Sequence, residues 1–138
     1  MITAADSNVL LDVFGRDPTY GPASADALRA ALASGRLIAC EVVWAEVAAP
    51  FATAVAAREA CTRLNLEFSP LAVEDALDAG LAWKAYRDRG GPRTGVTADF
   101  LIGAHALHNA DQLLTRDRGF YRSFFKNLSI VEPQTNRR

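Results

Sequence analysis

Met1-Ile2-Thr3-Ala4-Ala5-Asp6-Ser7-Asn8-Val9-Leu10-Leu11 changes character at a single carboxylate. Residues 2–5 carry no charge and read as a short buried strand, while residues 8–14 resume as a short apolar helix that stops before Gly15, Pro18 and the Gly21-Pro22 break. A strand that does not alternate is one covered on both faces, and such strands belong to parallel sheets. The opening therefore predicts an α/β fold, with Asp6 placed at the carboxyl end of its first strand.

The same alternation continues along the chain. Arg36-Leu37-Ile38-Ala39-Cys40, Leu66-Glu67-Phe68, Leu113-Leu114-Thr115 and residues 128–131 read as further strands. Helical patterns fill the spaces at 24–33, 41–49, 52–64, 73–87, 98–109 and 119–125. In the longest of these, Leu77, Leu81 and Ala85 recur at a spacing of four on one face. Thr97 is placed to cap the helix that carries Asp99. One domain over residues 1–138 is expected, with 134–138 as a polar tail without fixed structure.

Four carboxylates interrupt apolar runs: Asp6, Glu46 within Val43-Trp44-Ala45-Glu46-Val47, Asp99 before Phe100-Leu101-Ile102, and Asp117 after Leu113-Leu114-Thr115-Arg116. A lone acid at a helix start is accounted for as a cap or a dipole partner. Four together are better accounted for by a shared divalent cation, which satisfies buried charges that would otherwise be costly. Ligands in open parallel sheets sit beyond the carboxyl ends of strands at the switch point, and Asp6 and Asp117 both follow such ends.

Composition narrows the function classes. Half the residues are hydrophobic and 22% charged, the balance of a globular chain, and no apolar stretch reaches membrane-spanning length. The first residues lack a basic start followed by a long apolar run, so a cytoplasmic protein is expected. Cys40 and Cys61 are isolated in apolar segments and read as buried free thiols. A net charge of -1 argues against binding nucleic acid through an overall field, so any such contact must be local. Only Lys84 and Lys126 are lysines; the other basic residues are arginines, the better fork for phosphate.

Asp6-Ser7-Asn8-Val9-Leu10-Leu11, Trp44-Ala45-Glu46-Val47, Asp99-Phe100-Leu101-Ile102-Gly103-Ala104-His105-Ala106 and Leu114-Thr115-Arg116-Asp117 resemble, in this order, the four motifs of a PIN-domain ribonuclease. The length and order are most similar to VapC toxins of bacterial toxin-antitoxin pairs. The resemblance implies a three-layer α/β/α domain with a mostly parallel central sheet and a metal-dependent endoribonuclease activity. It implies that Asp6, Glu46, Asp99 and Asp117 hold Mg²⁺ or Mn²⁺, that a metal-activated water cuts RNA, and that Thr115 and Asn8 orient the acids. It further implies a homodimer inhibited by a small antitoxin.

Glu41 competes with Glu46, because both lie on one predicted helix about 140° apart and only one can face the site. Glu41 stands at the helix start, where the dipole alone favours an acid, so Glu46 is expected to be the site residue. His105 lies roughly 240° around its helix from Asp99 and is expected in a packing role. His108 is placed to share a surface with it. Arg87, Arg89 and Arg93 around Gly90-Gly91-Pro92, with Arg116 and Arg118 around Asp117, are candidate contacts for RNA phosphates. Asp12, Asp26, Asp75, Asp78 and Asp111 read as surface acids. Other readings remain at this point. A phosphoryl-transfer enzyme also displays aspartates at strand ends, although Asp6-Ser7-Asn8 lacks the Asp-x-Asp of haloacid-type phosphatases and no lysine suits a receiver domain. An inert metal-binding or partner-binding module would also keep the acids.

Overall fold

A computed structural model describes residues 1–92 and 97–135. Among the described residues five strands, β1 (Ile2–Ala5), β2 (Arg36–Ala39), β3 (Leu66–Phe68), β4 (Gln112–Leu114) and β5 (Ile130–Val131), form one sheet in the order β3-β2-β1-β4-β5. Every pairing is parallel, with Ala4 opposite Ile38 on one side and Ala5 opposite Leu114 on the other. Thr3, Ala4, Ala5, Leu37, Ile38, Leu113 and Leu114 are buried, as strands covered on both faces require.

Seven helices among the same residues connect the strands: α1 (Ser7–Phe14), α2 (Gly21–Ser34), α3 (Glu41–Ala48), α4 (Ala54–Arg63), α5 (Val73–Asp88), α6 (Ala98–Asn109) and α7 (Arg118–Phe124). Parallel crossovers are right-handed, so the connections that step from β1 towards β3 lie over one face, although α3 also reaches α6. The jump from β3 to β4 reverses direction and carries α5, α6 and α7 over the other. The result is the three-layer α/β/α sandwich that the sequence predicts.

Two helices depart from the expected pattern. Helix α2 starts at Gly21 rather than Ser24, because Pro22 falls in its first turn, where an amide has no intrahelical acceptor to lose. Asp17 secures that entry by accepting hydrogen bonds from the amides of Thr19 and Tyr20, both at 2.8 Å. Helix α5 turns its leucine stripe outward: Leu77 and Leu81 are 63% and 64% exposed. Its inner face is Asp75 and Ala79, both fully buried. The carboxylate of Asp75 accepts from the Ala72 amide at 2.9 Å and from Asn109 Nδ2 at 3.0 Å, tying α5 to α6. Asp75 is thus a core acid and not the surface acid expected; both donors reach Oδ2, while Oδ1 is buried with no hydrogen-bond partner among the described residues.

The reversal in strand order places β1 and β4 side by side while their chains leave in opposite directions, which opens a crevice at their carboxyl ends. The amide of Asp6 donates to the Leu114 carbonyl at 2.9 Å and closes the ladder there. Asp6 and Thr115 are the first residues beyond it.

Candidate active site

Asp6 is the N-cap of α1, and its Oδ1 accepts the Ser7 amide at 2.7 Å. Its Oδ2 accepts three further donors: the Thr115 hydroxyl at 2.7 Å, the Tyr121 hydroxyl at 3.1 Å and Asn8 Nδ2 at 3.4 Å. The side chain is buried, with 4% of the residue exposed. Burial raises its pKa from 3.8 to about 6, helped by the charge of Asp99, while the Thr115, Tyr121 and Ser7 hydrogen bonds pull the other way. Capping and site roles therefore coexist on one residue, each using a different oxygen.

Thr115 is fully buried directly after β4. Its oxygen accepts the Asp117 amide at 2.9 Å and Asn8 Nδ2 at 3.4 Å while its proton goes to Asp6. Asp117 occupies the N-cap position of α7 and is exposed. Asp99, in the first turn of α6, is half-buried and adds its charge to the environments of Asp6 and Tyr121.

Glu46 is exposed, a correction to its expected burial, because α3 buries only Val43 and Val47. Its Oε1 accepts the Ser7 hydroxyl at 2.6 Å, which brings it to the residue next to Asp6. Glu41 goes elsewhere: its Oε1 accepts the Leu71 amide at 2.8 Å and pins the segment between β3 and α5. His105 is buried against Ser69, Nε2 to Oγ 2.9 Å, and burial pushes its pKa down. His108 pairs with Asp78 instead of sharing a surface with His105.

Tyr121 is a site residue that the sequence motifs do not single out. It is fully buried, and burial and the nearby carboxylates of Asp6, Asp99 and Asp117 all raise its pKa, so the hydroxyl stays a donor. The available signal was its place four residues after Asp117, one helical turn on, as the hydroxyl-bearing ring beside Phe120, Phe124 and Phe125 in the sequence. Phe100 packs edge to face on both Phe120 and Phe124, and Phe120 likewise on Tyr121, the ring whose hydroxyl reaches Asp6.

The arginines divide. Arg116 donates to buried Asp12 through Nε at 2.7 Å and through its terminal nitrogen at 3.0 Å, and its guanidinium lies 4.0 Å from the centre of the Tyr20 ring. The fork is already engaged, which argues against a phosphate contact, and Asp12 is not the surface acid the pattern suggests. Arg118 faces Glu132 at 3.6 Å, an exposed pair that holds little. Arg87 lies over Trp83, and Arg89 over Phe124 with a 3.4 Å bond to the Ser123 carbonyl; both are otherwise exposed. Arg93 and residues 136–138 of the tail lie outside the described residues.

Among the described residues no three acidic, histidine or cysteine side chains stand close enough to hold a metal ion as placed. The donor chemistry nonetheless fits a hard divalent cation: Asp6, Glu46, Asp99 and Asp117 offer oxygen only, and the charge of Asp99 adds to the burial that raises the pKa of Asp6. In this arrangement Asp6 and Glu46 are satisfied by protein hydroxyls.

A family model described as the PIN domain matches residues 4–124. No curated protein matches the chain. Among solved structures, VapBC2 of Rickettsia felis bound to a DNA fragment from its promoter superposes with a TM-score of 0.74 at 18% identity, covering 97% of this chain and 100% of the other. VapBC-1 of nontypeable Haemophilus influenzae gives 0.72 at 20% identity, covering 96% and 98%. A toxin-antitoxin complex from Klebsiella pneumoniae gives 0.68 at 18% identity, covering 97% and 99%. At such identities the likeness is one of fold.

Proposed function

The chain belongs to the PIN-domain family, whose model spans residues 4–124, and on that premise we propose that it is a metal-dependent endoribonuclease, the toxin of a VapBC-type toxin-antitoxin pair. The observation that carries the reading is Asp6, a buried carboxylate held by two hydroxyls at the sheet's switch point, with a second acid close enough to help raise its pKa to about 6. Capping of α1 accounts for one oxygen of Asp6 but not for a second held by two hydroxyls with another acid nearby, and site chemistry does.

On this reading Asp6, Glu46, Asp99 and Asp117 hold Mg²⁺ or Mn²⁺. Bound there, the ion would supply charge to activate a water and to offset the negative charge that builds on an RNA phosphodiester. Thr115 and Tyr121 fix the direction of Asp6 Oδ2, and Ser7 fixes Glu46, so the acids are oriented before substrate arrives. Asp117 and Glu46 are exposed and on this reading would form the solvent side of the crevice. Phosphate contacts fall to Arg87, Arg89, Arg93 and Arg118, with Arg116 withdrawn by Asp12. The similarity to a toxin-antitoxin complex supports an antitoxin partner; on this reading that partner is small and covers the crevice, and the toxin pairs as a homodimer. Among the described residues no helix is long and apolar enough to cross a membrane, in keeping with action on RNA in the cytoplasm.

The test is cleavage of labelled RNA by the purified chain in Mg²⁺, in Mn²⁺ or in chelator, beside the variants Asp6→Asn and Asp99→Asn. Cleavage should require the ion and fall by roughly a hundredfold or more in both folded variants. Undiminished cleavage by either variant, or in chelator, overturns the proposal.

A further inference from the structure

Arg116 stands between two residues of the crevice, yet its side chain points away from it. It crosses to α1 and meets Asp12 in a two-pronged contact, and Ser24 of α2 donates a third bond to the same carboxylate at 2.8 Å. Only 5% of the Asp12 side chain and 30% of the Arg116 side chain is exposed, and Tyr20 covers the outer face of the guanidinium. The Arg116 amide is held as well, by Asn8 Oδ1 at 3.3 Å. Asn8 and Asp12 are four residues apart and so share one face of α1, which grips the loop between β4 and α7 at two levels.

From this geometry we infer that Asp12 and Arg116 are positioning residues, which set Thr115 and Asp117 against Asp6. Asp117 is exposed and its side chain makes no capping bond, so the backbone of its loop decides where its carboxylate lies. That backbone is fixed by what holds Arg116. A buried ion pair is poor evidence for stability, since apolar residues of like volume would serve the core as well. Its planar fork instead locks direction, which a lysine with a single point of charge does not reproduce. The catalytic part of the inference rests on the nuclease reading; the positional part does not.

The experiment compares wild type with Arg116→Lys, Asp12→Asn and the doubly neutral Asp12→Asn/Arg116→Gln. Hydrogen exchange reads the loop without reference to catalysis. The Asp117 amide, bonded to Thr115, should exchange about tenfold faster in Arg116→Lys, while the sheet amide of Leu113, bonded to Ser129, keeps its rate. RNA cleavage by the same folded variant should lose kcat by roughly tenfold to a hundredfold with KM nearly unchanged. Unchanged exchange at Asp117 overturns the inference whether or not the wild type cleaves RNA. A raised KM with full kcat would overturn it differently, by making Arg116 a substrate contact. Should Asp12→Asn leave its arginine uncompensated and unfold, Arg116→Lys and the double variant carry the comparison.

Discussion

One oxygen of Asp6 caps α1 while the other takes hydroxyl protons from Thr115 and Tyr121, and even these donors leave the carboxyl with a pKa of about 6. The sign of the consequence follows from linkage. An acid whose folded pKa exceeds its ordinary 3.8 binds more protons when folded, so it favours the fold at low pH and that advantage is lost as pH rises through about 6. A shift of this size is worth on the order of 3 kcal/mol. In metal-free protein, urea unfolding at pH 4 and at pH 7 should therefore show a loss for wild type that is smaller in Asp6→Asn by up to that amount. Equal pH dependence in the two proteins would mean that Asp6 is not desolvated as described. Tyr121 belongs to the same arrangement, and its ring could not have been replaced by the commoner phenylalanine of its neighbours without removing a donor from Asp6.

At the scale of elements, α3 separates two glutamates that the sequence leaves in competition. Val43 and Val47 define its buried side, and around that side Glu46 swings to Ser7 while Glu41 swings to the Leu71 amide. Glu46→Gln should weaken Mn²⁺ binding by roughly tenfold or more, since it removes a charged oxygen donor. Glu41→Gln keeps an oxygen for Leu71 and should leave Mn²⁺ affinity where it was. Calorimetric titration of both decides the matter, and the reverse ranking would discard Glu46 as a ligand. Helix α6 shows the same dependence on its setting. Gly103 lies so close to Phe125 that a Cβ would come within 2.4 Å of the ring, which is how the helix bearing Asp99 packs against the end of α7.

For the whole molecule, a net charge of -1 leaves no general attraction for RNA, and the acidic crevice would repel it without counter-charge nearby. Arg87 and Arg89 are exposed at the end of α5, their guanidinium groups lying over Trp83 and Phe124. Replacing Arg87, Arg89 and Arg93 together by Gln should weaken RNA binding and reduce the slope of log affinity against log salt by about one for each phosphate that an arginine no longer neutralises. Binding measured across a salt series should show this with Mn²⁺ affinity unchanged. An unaltered slope would move the phosphate-binding role to Arg118 and the face around it.

The alternation of strands and helices, the parallel sheet and the order of the four acids were legible in the sequence, because each is written in local pattern: short unalternating apolar runs, turn residues, and a charge placed just past a strand end. Which charges are buried was not. Asp12 and Asp75 went inside because Arg116, Ser24, Asn109 and the Ala72 amide meet them there, and all but the last of these partners come from other elements of the chain. Glu46 and Asp117 stayed outside, and Leu77 and Leu81 face solvent despite their helical spacing. Periodicity marks that a helix has an apolar face; only the packed sheet and its neighbouring helices decide which face is covered, since burial is a property of two surfaces and the sequence of one segment describes a single one.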